Sequence, residues 1–135
     1  MAIYRSVRLV IQNSTPGSLS VEAAEVLQGQ WRSADGLTAR GGRIAPQSAG
    51  AIDCWSEQLQ VGCEAFVRLS SVLGLVHVNW TLPWVGRFKI TTDADGQHWH
   101  YHFLLVEESP ASPATLLILE PARIAAPPAT RRRKS

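Results

Sequence analysis

Residues 98–102 read His98-Trp99-His100-Tyr101-His102, a dense run of side chains able to do chemistry. On an extended strand successive side chains alternate between faces, so the three imidazoles share one side while Trp99, Tyr101 and Phe103 take the other. Imidazole nitrogens ligate zinc-like metals, and a tridentate site is stereochemically open. Same-face residues nevertheless lie roughly 7 Å apart along a strand, which makes three ligands from one flat strand awkward. The carboxylates close in sequence are Asp93 and Asp95, across a turn. A solvent-facing, hydrogen-bonded strand is therefore the expectation, with no metal and no cofactor assigned.

Cys54 and Cys63 end one predicted strand and begin the next, so they could face each other across a hairpin and oxidise where geometry allows. Two ordinary buried thiols are the simpler reading, and neither cysteine has a histidine or lysine beside it to activate it. Nucleotide-binding glycine loops, zincin helices, serine elbows and paired-carboxylate motifs are absent from the sequence. A binding protein, not an enzyme, is expected.

Five tryptophans in 135 residues are the third feature. Trp31 precedes a turn-rich segment, Trp55 ends a strand, and Trp80 and Trp84 flank Thr81-Leu82-Pro83. Indole has an apolar body and one N–H donor, so it suits either a core or a membrane interface. Roughly half of such residues in a small sandwich would be core. Pro83 breaks its strand and marks Trp84 as the one least suited to regular packing.

The elements that must position these groups read as strands. Val7, Leu9 and Ile11 alternate with polar neighbours from Arg5 to Asn13, and Ser14-Thr15-Pro16-Gly17 turns the chain. Residues 18–29 allow a short helix or an irregular strand, and the strand is preferred. The stretch from Arg32 to Gly42 reads as an exposed loop. Further strands are predicted at Ile44 to Cys54, Cys63 to Ser70 and Val72 to Trp80, the last with Val72, Val76 and Val78 on one face. Asp93-Ala94-Asp95-Gly96 reads as a hairpin turn joining Phe88–Thr92 to His98–Val106. Leu116 to Leu119 reads as a closing strand. Many short strands without a βαβ rhythm define an all-β, single-domain β-sandwich over residues 1–120. Residues 121–135, rich in proline and alanine and ending in Arg131-Arg132-Arg133-Lys134, read as a disordered basic tail.

Charge narrows the partners. Removing those four cations from the thirteen basic residues leaves nine against eleven acidic groups, a net charge of −2 over residues 1–130. The body is therefore not a basic nucleic-acid surface. The opening residues carry Arg5 and Arg8 inside an apolar stretch and show no signal-peptide core, so synthesis in the cytoplasm with reduced cysteines is expected. The sequons at Asn13 and Asn79 are then accidental. No run of about 18 apolar residues is present to span a bilayer as a helix.

Read in order, the segments from Tyr4 to Asn13, from Leu27 to Trp31, Ile44-Ala45-Pro46, Val61-Gly62-Cys63-Glu64-Ala65 and Trp80-Thr81-Leu82-Pro83-Trp84-Val85-Gly86 resemble the aegerolysin family across residues 4–103. That family's pattern has a strand ending in Asn, a Gly-x-Trp element, a Thr-Gly-Thr-Glu-Gly turn and a Pro-aromatic-x-Gly segment. Here Gly62 and Glu64 are kept, whereas Val61, Cys63 and Ala65 replace the two Thr and the second Gly. The resemblance implies an actinoporin-like sandwich that recognises sphingolipid membranes, often with sterol, as part of a pore-forming toxin. In many members a larger partner, of the perforin class in several systems, perforates the membrane; bacterial members form halves of binary insecticidal toxins. Under this reading Trp31, Trp80 and Trp84 are the lipid anchors and Glu64 meets a headgroup or fixes its turn. The protein would be released to act at target-cell membranes, and a homo-oligomer is allowed. The rival reading is a soluble carbohydrate- or protein-binding sandwich whose aromatics stack on sugars; a metal-dependent enzyme using His98, His100 and His102 stands third.

Overall fold

The computed structural model describes residues 2–122. Ten strands follow one another without a helix among the described residues: β1 (Arg5–Asn13), β2 (Leu19–Gln28), β3 (Gln30–Arg32), β4 (Arg43–Ile44), β5 (Ser48–Ser56), β6 (Cys63–Ser71), β7 (Gly74–Leu82), β8 (Lys89–Ala94), β9 (Trp99–Glu107) and β10 (Ala114–Pro121). They form two five-stranded sheets, in the orders β3-β5-β1-β10-β9 and β4-β2-β6-β7-β8. All pairings are antiparallel except that of β1 with β10, where the first and last strands run side by side at the centre of their sheet. β10, the closing strand of the described chain, is an interior strand of its sheet, between β1 and β9.

Alternation builds the core as the sequence predicts. Val7, Leu9 and Ile11 of β1, Val67 and Leu69 of β6, Val76 and Val78 of β7, and Leu117 and Leu119 of β10 are all within 1% of complete burial and face the opposite sheet. The segment 18–29 is strand, as preferred, and its chain switches sheets at Gly29. There φ is +86°, and a Cβ would lie 2.5 Å from the Trp55 carbonyl oxygen, so only glycine fits.

Four expectations about elements are corrected. The stretch 32–42 is not simply an exposed loop: Leu37 is fully buried, packing where a Cβ on Gly50 would come within 2.6 Å of it. The same segment docks on β2 through Gly41 N–H to Val21 O and Val21 N–H to Gly42 O. Val72 shares no face with Val76 and Val78; it sits at the tip of the β6–β7 hairpin, 95% exposed, because the turn closes between Ser71 and Gly74. Asp93 to Gly96 does not close a hairpin, since β8 and β9 belong to different sheets and the turn carries the chain across the sandwich. The run from Ile44 to Cys54 likewise divides at Gln47, whose φ of 58° interrupts it between β4 and β5.

One buried polar residue ties the ends of β1, β4 and the following turn. The side-chain amide of Asn13, fully buried, donates to Gly17 O (2.8 Å), Ile44 O (3.0 Å) and Ala45 O (3.1 Å), while its carbonyl oxygen accepts from the Thr15 N–H and hydroxyl. Every hydrogen-bonding group of this amide is occupied, as burial demands. That arrangement leaves the Asn13 nitrogen no room for a glycan. At the other end of the chain β10 runs through Pro121, and the Ala122 N–H donates to His98 O at 2.9 Å. The sandwich therefore extends past the expected boundary at residue 120. The remaining part of the proposed tail, residues 123–135, lies outside the described residues.

Candidate functional site

The four residues expected at a lipid site part company. Trp80 is corrected: it lies on β7 at 1% exposure, with its indole inside the sandwich, and cannot reach a membrane from that position. Trp31 pairs with Cys54 across β3 and β5, and its half-buried ring stands 6.4 Å from that of Trp80. Strand register puts both indoles toward the interior, since Trp31 shares the face of the buried Cys54 and Trp80 that of Val76 and Val78. Glu64, half-buried on β6, stands opposite Thr81, two residues before Pro83, so it flanks the end of the sandwich from which the β7–β8 connection emerges.

Trp84 behaves as the proline predicts. Pro83 ends β7 at Leu82, and the connection Pro83–Phe88 leaves the sheet. Gly62 sits beneath it, where a Cβ would come within 2.9 Å of Pro83 Cα. The half-buried indole of Trp84 is clamped by the start of β1. The Arg5 guanidinium lies 4.2 Å from the ring centroid, Arg5 Nη2 donates to Trp84 O at 2.9 Å, and the Tyr4 ring meets the indole edge-on at 6.0 Å. A guanidinium over an indole face combines electrostatic attraction with stacking. Next to this fixed platform Val85 is 84% exposed and Ile3 60% exposed, with Arg87 also open to solvent. The sequence reading singled out Trp84 but missed Tyr4, Arg5 and Val85, because the clamp spans 79 residues and no local pattern encodes it.

A concavity of about 540 Å³ runs along the outer face of the first sheet beside the same N-terminal segment. Ile3, Arg8, Arg32, Asp53, Trp55 and Pro113 line it. Arg8 and Asp53 form a two-oxygen ion pair at 2.9 and 3.0 Å, and the Trp55 indole donates to Glu57 at 2.8 Å.

The cysteines face each other across the sandwich and not across a hairpin, since β5 and β6 lie in different sheets. Both are free and fully buried, and the Cys63 thiol donates to Cys54 O (3.6 Å) and Arg5 O (3.5 Å). Hydrogen bonding between the two thiols pushes their pKa values apart: with burial it raises the Cys54 thiol above the usual range, and it holds the Cys63 thiol below it.

The histidine run divides. His98 precedes β9 and turns to Asp95, with Nδ1 2.8 Å from its carboxylate. His100 and His102 stay together on the exposed outer face, while Trp99 is buried at 3% exposure. The carboxylate that joins the pair is Glu120, directly opposite His100 on β10, with 2.9 Å between His100 Nδ1 and Glu120 Oε1. Twenty residues of separation hid it from a reading of neighbours.

In sequence the chain matches no family model and no curated protein. In structure it is similar to the RahU protein, solved in complex with a TRIS molecule, with a TM-score of 0.70 at 12% identity over 93% of this chain and all of that one. RahU is an aegerolysin-like protein. At that identity the likeness concerns the fold: a small all-β sandwich of the same architecture.

Proposed function

We propose that the protein recognises membrane lipids, binding sphingolipid, with sterol beside it, through the end of the sandwich made by Ile3–Arg5 and Pro83–Phe88. The observation that carries this reading is Val85, 84% exposed next to an indole held rigid by Arg5 and Tyr4. Exposed aliphatic side chains beside a fixed interfacial aromatic gain free energy in the headgroup and shallow acyl region, and cations nearby suit lipid phosphates. Val85 and Ile3 would enter the bilayer surface, the Trp84 ring would lie at headgroup level, and Arg5 and Arg87 would meet phosphate. Trp31 and Trp80 hold the sandwich together instead. The aegerolysin-like fold of RahU and the ordered sequence resemblance support the same class.

No helix among the described residues is long and apolar enough to cross a membrane. In this reading a larger pore-forming partner, of the perforin class or another β-pore-former, perforates the target membrane, and the chain acts as the recognition component of a cytolytic or insecticidal pair. Sedimentation with vesicles of sphingomyelin, cholesterol and phosphatidylcholine tests the site. The chain should pellet with them, release little trapped dye by itself, and lose binding in Val85→Glu without a change in thermal midpoint. Binding that is absent from all sphingolipid vesicles, or indifferent to Val85→Glu, overturns the proposal.

The groove holding Trp55, Arg8 and Asp53 favours one other reading, a soluble carbohydrate-binding module, because an indole beside paired polar groups suits a sugar ring. Glycan binding that disappears in Trp55→Ala, with no vesicle binding, would select it.

A further inference from the structure

We propose that the outer face of the first sheet carries a binding site for one Zn²⁺ ion, formed by His100, His102 and Glu120. Three observations converge. His100 and His102, two residues apart on β9, project from the same face and are both exposed, with ring centroids 5.8 Å apart. The antiparallel register sets Glu120 directly opposite His100, so the third ligand comes from a different strand and relieves the awkward geometry of three ligands on one. One ligand atom from each of the three already lies within 4.8 Å of the other two.

Zinc holds imidazole nitrogen and carboxylate oxygen at about 2.0–2.2 Å, which places ligand atoms roughly 3.5 Å apart in a tetrahedron. Closing the remaining distance calls for rotation of the exposed His100 and His102 side chains and of the half-buried Glu120. The surroundings do not oppose a cation. Ile118 is the partner of His102 on β10, Gln12 of β1 pairs with Ile118, and neither carries charge. His98, engaged by Asp95 at 2.8 Å, stays outside the cluster. Two imidazoles and one carboxylate favour a late first-row cation over Ca²⁺ or Mg²⁺, which take oxygen ligands. Three protein ligands leave a fourth position for water or an external donor. The ion would also tie β9, the edge strand of its sheet, to the interior strand β10.

Isothermal titration of the full, tag-free chain with ZnCl₂ in a non-coordinating buffer at neutral pH tests the site. One ion should bind per chain, raising the thermal midpoint, while CaCl₂ and MgCl₂ give no saturable heat. His100→Ala, His102→Ala and Glu120→Gln should each weaken binding by about tenfold or more, the range already seen when only a supporting partner of a metal site is lost. His98→Ala should bind as the parent does. Because His100 and His102 are exposed and Glu120→Gln keeps the size of a half-buried side chain, the variants should fold, which thermal unfolding without metal checks. Absence of saturable Zn²⁺ binding, undiminished binding in the His100→Ala/His102→Ala double variant or in Glu120→Gln, or loss of binding in His98→Ala overturns the assignment.

Discussion

Trp80 and Trp84 stand four residues apart, yet one is sealed in the sandwich at 1% exposure and the other is held at its end by Arg5 and Tyr4. The chemistry of the two side chains is identical, so the difference comes from the backbone between them. Trp80 shares the inward phase of Val76 and Val78, and Pro83 stops that phase before Trp84. Trp31, packed on Trp80 from the short edge strand β3, belongs with the interior group. The tryptophans of this region therefore occupy two different environments, and strand phase separates them.

Truncation should expose the contrast most strongly at Trp80. Trp80→Ala should lose about 3–5 kcal/mol of stability in denaturant unfolding, because a large cavity opens in a packed core. Trp80→Phe should cost visibly less, since the indole N–H has no acceptor among the described residues and only volume is given up. If Trp80→Ala were as stable as the parent, the interior assignment would be lost.

Asn13 provides a polar counterpart to that core residue. Asn13→Ala leaves the Gly17, Ile44 and Ala45 carbonyls and the Thr15 donors short of partners, and should cost about 1–3 kcal/mol by the same measurement. Asn13→Asp should be at least as damaging, because it replaces the donor with a buried charge facing carbonyl oxygens.

Trp84→Ala should have a smaller effect on stability, about 1 kcal/mol or less, in keeping with one partly exposed cation–π contact. Vesicle binding should fall sharply in the same variant. Arg5→Ala should reproduce both results in part, since it frees the indole without removing it. A Trp84→Ala protein that unfolds as early as Trp80→Ala while binding lipid normally would erase the distinction between the two regions.

The smallest effect concerns the turn between β8 and β9. The Gln97 backbone N–H, and after it His98, hold the Asp95 carboxyl below its usual range. A lowered folded-state pKa means that the contribution is present above the unfolded value and is lost as pH falls through the folded one. Asp95→Asn should therefore flatten the acid limb of stability below about pH 4, the ordinary range of an unfolded aspartate, and leave neutral stability almost unchanged.

Much of the sandwich was legible in residue order. Period-two runs located β1, β6 and most of β7, the apolar run Leu116–Leu119 marked the middle of β10, and the strand preference for 18–29 held against the helical propensity of its Ala and Glu residues. Pairing was not legible. Asp93 to Gly96 has the composition of a hairpin turn, but turn chemistry specifies a reversal and says nothing about which sheet receives the next strand. Leu37 looked like a loop residue because its neighbours are Asp, Gly, Thr and Arg; its burial depends on the gap above Gly50, which belongs to β5. Of the tryptophans expected at a lipid site, Trp84 stands outside the sheets at the end of the sandwich, and the expectation for Trp80 failed because the proline signal acts after that residue.

Local sequence thus determined the extended segments, the faces they present and the break at Pro83, since alternation and a missing backbone donor act over a few neighbouring residues. Tertiary structure alone decided that Arg5 would hold Trp84, that Cys54 and Cys63 would meet from opposite sheets, and that Glu120 would join His100 and His102. Those contacts depend on strand order and register, which are settled collectively by burying two sheets against each other and leave no mark at any single stretch of the chain.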